Sequence, residues 1–368
     1  MLSRLTRAPA KGAPTERNPL AVVTSPGKLV WPGVVPKRVT GPTVGELRDL
    51  EQRLAAGEAH VVQFNDVTYT PRLLAEVDSL AASFGDLLEV RFYGHESGSF
   101  DCAMLEKIPA VTNLSLDCLL RASNIEVLAQ LAHLRRLSLG VEELGATNVL
   151  TYPNLRRLRD LTVGETKTKA LDLSPLEGFS ELEDLRICGQ TRGIQALAAI
   201  RSLKRLWLNR IGKGTRLAFL SELDNLQTLG LLLGGRGSIA DIEMPRLVEL
   251  DICRVQGLTD FGDLSRFRGL ASLRIDEQAR LEGIAFSHAN AELRSVYLLH
   301  CKSLRTLSGL ETLPRLEELR IWSPVLDRQE LLALKLPPSL AICALYTKTE
   351  REDALIRAEL QARGYRES

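Results

Sequence analysis

The chain has 368 residues, of which 45% are hydrophobic, 25% charged and 5% aromatic. This composition excludes a disordered chain or a collagen-like fibre, and leaves room for an extensive core or two ordinary domains. Forty-seven Lys and Arg balance 46 Asp and Glu, so no summed field would gather a phosphate polymer or an anionic membrane.

Residues 1–42 hold seven of the 16 prolines and predict an extended arm, tacked down by Trp31 and the valines around it. Arg4, Arg7, Lys11 and Arg17 are not followed by an apolar stretch, so a secretory signal is not expected. Pro9, Pro14 and Pro19 would break the amphipathic helix of an organelle transit peptide. No run approaches the length of a membrane span. Residues 43–86 then predict an N-terminal cap. Thr43 and Glu46 have capping-box spacing ahead of a helix from Val44 to about Ala56, with Leu47, Leu50 and Leu54 on one face. A short strand at Val62 and Phe64 and a second helix from Pro71 to about Phe84 follow.

From Leu87 to about residue 345 the motif Leu-x-x-Leu-x-Leu recurs every 21 to 24 residues. Its first positions are Leu87, Val111, Leu134, Leu158, Leu182, Leu203, Leu226, Leu247, Leu270, Leu293 and Leu316, with a degenerate copy at Leu340. In a strand, the fourth and sixth residues of each copy point one way, and the third, fifth and seventh the other. The leucine pairs must therefore face a core. Further apolar residues at threefold spacing precede several copies, as at Leu173, Leu176, Phe179 and Leu182, which suits a short return segment of helical or 3₁₀ turns. One such unit buries too little apolar surface to offset the ordering of its own backbone, so the units must stack, with covered ends. Residues 346–368 predict the far cover: Thr349 and Glu352 offer a second capping box, and Leu355, Ile356 and Leu360 line a helix ending near Gly364.

These units resemble leucine-rich repeats, and the threefold upstream leucines are similar to the short class found in bacterial internalins and in regulatory subunits of a eukaryotic phosphatase. The resemblance implies an α/β solenoid, a curved right-handed coil with parallel strands on its concave side. It also implies a bacterial interaction protein that binds a protein there, without catalysis or cofactor, as an immunity protein or a scaffold. The family commonly places Asn three residues after the motif's last leucine. Here that position holds Leu119, Glu142, Thr166, Gln190, Ile211, Gly234, Val255 and Gln278, and only Cys301 is an accepted substitute.

The third, fifth and seventh positions give the expected working face. Trp207 and Trp322 fall there with Tyr297 and Leu299, and Arg186, Arg274 and Arg320 occupy fifth positions. Trp, Tyr and Arg carry a large share of interface energy. Two readings of these aromatics stand: contact with a partner, or packing over neighbouring strands. Acidic members, among them Asp251, Asp184, Asp276 and Glu318, are interleaved with the arginines, and mixed signs favour a protein over a nucleic acid.

Chemical signals are weak. Cys102, Cys118, Cys188, Cys253, Cys301 and Cys343 are too widely spaced for a zinc knuckle or redox pair, and predict reduced thiols and a cytoplasmic protein. His300 beside Cys301 invites a nucleophile reading, but adjacent strand residues face opposite ways. Gly212–Thr215 breaks the phosphate-loop order and reads as a surface loop. No metal or cofactor site is expected. The second reading is an enzyme or enzyme-targeting adaptor with its activity or recruitment in the N-terminal block.

Overall fold

Each copy of the six-residue motif becomes one short strand, and the strands lie side by side, parallel and in register. The computed structural model describes residues 36–65, 69–94, 98–145, 147–167 and 171–367; the arm expected at 1–35, with Trp31, lies outside them. Strand β1 (Lys37–Thr40) leads through helix α1 (Val44–Ala55) to β2 (His60–Asn65), and helix α2 (Pro71–Phe84) leads to β3 (Leu88–Tyr93). Short β4 (Ser99–Asp101) pairs beside the long β5 (Asn113–Ser123). Then come β6 (Arg136–Glu143), β7 (Asp160–Val163), β8 (Asp184–Cys188), β9 (Arg205–Asn209), β10 (Thr228–Leu232), β11 (Glu249–Cys253) and β12 (Ser272–Asp276). Next are β13 (Gly283–Ala285), β14 (Ser295–Leu299), β15 (Thr306–Ser308), β16 (Glu318–Trp322) and β17 (Ile342–Tyr346), with helices α3 (Arg328–Leu332) before β17 and α4 (Glu350–Ala362) after it. Fifteen strands form one sheet in chain order, while β13 and β15 pair separately on the return path. This is a curved leucine-rich-repeat solenoid with its parallel strands on the concave side.

The sheet begins earlier than the repeats do. Residues 37–40, expected as part of an extended arm, pair in register with His60–Gln63, and β2 pairs with β3. The N-terminal block thus continues the sheet, with full α-helices on its back where later repeats carry 3₁₀ turns. Both halves of the capping box form at Thr43, and Leu47, Leu50 and Leu54 are buried.

Returns such as Ser174–Gly178, Ile194–Ala199 and Ala218–Glu222 are 3₁₀ turns that bury Leu176, Leu197 and Leu220. The core is a continuous stack of motif residues, from Val90 through Leu137, Leu185, Leu250 and Leu319. Helix α4 covers the last strand with Ile356 and Leu360, but Leu355, expected on that face, is exposed. At Thr349 the side chain caps the Glu352 amide.

Two substitutes replace the missing asparagines. Gln190 accepts from the Cys188 amide at 3.1 Å and donates to the Gly164 carbonyl at 2.9 Å, and buried Gln278 donates to the Asp276 carbonyl at 2.9 Å. The longer amide reaches the same turn backbone. Elsewhere Leu119 and Val255 fill the position with apolar bulk.

Candidate functional site

Register places the fifth-position residues in one row across the sheet. Arg186 stands beside Trp207, Trp207 beside Gly230, Gly230 beside Asp251, Asp251 beside Arg274, Arg274 beside Tyr297, and Tyr297 beside Arg320. Six of the expected site residues therefore neighbour one another, interrupted only by Gly230, at the 4.8 Å spacing of paired strands. Trp207, Asp251, Arg274, Tyr297, Arg320 and Trp322 are half-buried, with one flank to solvent.

The row is tied down by carboxylates. Arg320 Nε donates to Glu318 Oε1 at 2.6 Å, and the Tyr297 hydroxyl donates to Glu318 Oε2 at 2.8 Å. Burial and the neighbouring Glu318 push the Tyr297 hydroxyl up to about 12. Arg274 reaches Asp276 at 3.2 Å, and His300 Nδ1 sits 2.8 Å from the other oxygen of Asp276. Arg205 donates to Asp184 at 2.7 Å, with Arg186 at 3.5 Å. Asp184 and Asp276 are 3% and 4% exposed, beneath Arg186 and Arg274 side chains at 23% and 22%. Two of the acids counted as part of a mixed outer patch are thus sunk below their arginines. Burial pushes the Asp251 carboxyl up to about 6 against the pull of Arg274, and its Oδ1 has no hydrogen-bond partner.

The seventh position does not behave as the alternation predicts. Cys188, Asn209, Cys253, Asp276 and Leu299 are all buried, Leu299 to 1% exposure, so Leu299 is not a contact residue. The next residue accounts for this: Gly189 at φ 87°, and Arg210, Arg254, Glu277 and His300 at φ 52° to 53°, all adopt left-handed backbone. The chain turns sharply at that point and draws the preceding side chain under its neighbours. Trp322 is followed by Ser323, whose backbone is not left-handed, and stays partly exposed, its ring 4.8 Å from that of His300. His300 thus joins the site, which the motif alone did not reveal because the eighth position lies outside the strand alternation.

Cys301 is fully buried, its Sγ 3.4 Å from the Leu299 carbonyl, and burial pushes its thiol up to about 12. It faces the core while His300 faces the rim, so the two form no nucleophile pair. Gly212–Thr215 closes as a turn, Thr215 N to Gly212 O at 3.0 Å. Among the described residues no group of His, Cys, Asp or Glu is placed to hold a metal ion, and no helix is long and apolar enough to cross a membrane.

No protein-family model and no curated protein matches the chain. Solved structures do. TLR13 in its complex with ssRNA13 matches at a TM-score of 0.50 and 16% identity over 84% of this chain and 51% of that one, so the match spans about half of TLR13's length. An internalin from Listeria monocytogenes matches at 0.49 and 18% over 87% of this chain and 84% of its own. A leucine-rich-repeat protein of Leptospira interrogans matches at 0.45 and 14% over 81% and 76%. At these identities the likeness is one of fold.

Proposed function

We propose that this leucine-rich-repeat protein is a non-catalytic interaction module that holds a partner protein on its concave face. The observation that carries the reading is the unbroken, partly exposed group Arg274, Tyr297, Arg320, Trp322 and His300 on adjacent strands. Its polar members are held in place by Asp276 and Glu318, so little rotamer freedom remains to be lost on binding. Arg186, Trp207 and Asp251 extend the same row toward the centre of the coil. In this reading residues 43–86 and 346–368 cover the two ends of the repeat stack.

Six free cysteines, five of them buried, suit the reducing cytoplasm of a bacterium. Immunity toward a toxin, or scaffolding, is the role the fold resemblance suggests. TLR13 was solved in complex with an RNA, but buried carboxylates under the arginines of this face favour a protein here.

The test is capture of the partner from the native host by the full chain, followed by titration of the identified partner against a Tyr297→Ala/Trp322→Ala double variant. Loss of at least about 2 kcal/mol of binding, with the fold intact, is expected. Unchanged affinity of that variant would sink the concave-face reading.

A further inference from the structure

At several repeats the rim where the strands begin, on either side of the motif's first leucine, sets opposite charges side by side. Glu183 pairs with Lys204 at 3.0 Å, Arg294 with Glu317 at 2.6 Å, and Arg315 with Glu292. The repeats starting at Leu134 and Leu158 instead set two arginines side by side. Arg136 pairs in register with Asp160, so Arg135, one residue earlier, stands beside Arg159, whose amide bonds the Arg135 carbonyl at 2.8 Å. Arg157 lies two residues before Arg159 through extended Leu158, and Arg156 lies against Gly178 of the next repeat. Among the described residues none of these four arginines forms an ion pair, and Glu183, on the far side of Arg159, is taken by Lys204. Like charges on neighbouring strands cost stability. By register the next repeat sets Glu181 and Glu183 beside Arg157 and Arg159, without an ion pair to either, and Arg135 Nη1 donates to the Leu134 carbonyl at 3.2 Å.

We propose that Arg135, Arg156, Arg157 and Arg159 form a second docking site, for an extended acidic segment of a protein partner. Two spacings are offered: about 4.8 Å between neighbouring strands and about 6 to 7 Å between alternate residues of an extended chain. Carboxylates on alternate residues of an extended segment match the second spacing, and each guanidinium can hold one bidentately. Nucleic acid is the poorer fit, because Glu181 and Glu183 bound the patch and, of the residues flanking Leu134 and Leu158, His133 alone carries a ring that could stack a base. This site is separate from the concave row, so either reading can fail without the other.

The test is fluorescence anisotropy of a labelled ten-residue Asp/Glu peptide and of a labelled ten-nucleotide single-stranded RNA, each titrated with the full chain at low salt. The expected result is peptide binding that falls about tenfold in Arg157→Gln/Arg159→Gln and stays within about twofold in Arg246→Gln/Arg294→Gln, which removes rim arginines elsewhere. Thermal melts should show Arg157→Gln/Arg159→Gln no less stable than the parent, since a repulsion has been relieved. If that variant unfolds, Arg135→Gln carries the same expectation of weakened peptide binding. Equal loss in both double variants, no loss in either, or RNA bound more tightly than peptide through the same arginines would overturn the proposal.

Discussion

The indole of Trp207 lies flat over Gly230 of the neighbouring strand, so close that a Cβ on Gly230 would stand 1.9 Å from Cε3 of the ring. Trp207 therefore both packs and presents one half-exposed flank, and the glycine that interrupts the row of large side chains is the seat of its ring. Gly230→Ala should displace the indole and destabilise the chain by about 1–3 kcal/mol. In a Trp207→Ala background the same change should cost close to nothing. A thermal-melt double-mutant cycle reads this coupling.

Trp322 touches His300 near the end of its strand and, among the described residues, seats on no glycine, so the two tryptophans should respond differently. Trp207→Ala is expected to lower the melting temperature, whereas Trp322→Ala leaves it nearly unchanged and weakens partner binding by about 2 kcal/mol. Equal melting losses in both would make Trp322 structural.

Buried Glu89 has its carboxyl pushed up to about 7 by desolvation, outweighing Arg91 and Arg38 nearby. A raised folded-state value means that the folded chain holds this proton more tightly than the unfolded one. The stability it contributes is full below about pH 4.5 and is lost as pH rises through about 7. Asp251, raised to about 6, acts in the same direction over a slightly lower window. Melting temperatures measured from pH 5 to 8 should fall, and Glu89→Gln should flatten the slope. A profile that rises over this range would contradict the desolvation argument.

Leu233 adopts φ 55° without the freedom of a glycine. Left-handed backbone costs a non-glycine residue about 1–2 kcal/mol, partly offset by the entropy glycine brings to the unfolded chain. Leu233→Gly is expected to stabilise the protein by about 0.5–1 kcal/mol, seen as a higher melting temperature. Gly189, at the equivalent point of its own repeat, already shows this solution at φ 87°.

Gln190 satisfies two backbone groups at once. Gln190→Ala leaves the buried Cys188 amide and the half-buried Gly164 carbonyl without this partner and should cost about 1–3 kcal/mol. Gln190→Asn, the residue the repeat family prefers, should recover part of that loss. Amide exchange at Cys188 checks the mechanism, because protection of that N–H depends on the side chain.

The repeat period, the inward leucine pairs and the capping box at Thr43 were legible in the chain because each follows from local spacing. Two turns of a helix or five residues of strand suffice to define which side is apolar. Membership of the concave row was equally legible: once the strands pair in register, fifth positions fall beside one another, as Arg274, Tyr297 and Arg320 do.

What spacing alone could not supply depends on residues about 20 to 45 places apart in the chain. Burial of Leu299, the sinking of Asp184 and Asp276 below their arginines, and the seating of Trp207 on Gly230 were all decided by side chains brought from neighbouring repeats. The same is true of β1 and β2: nothing in residues 37–65 carries the leucine motif, and only pairing with β3 draws them into the sheet. Alternation along a strand determines direction, but exposure depends on what the next coil lays over that direction.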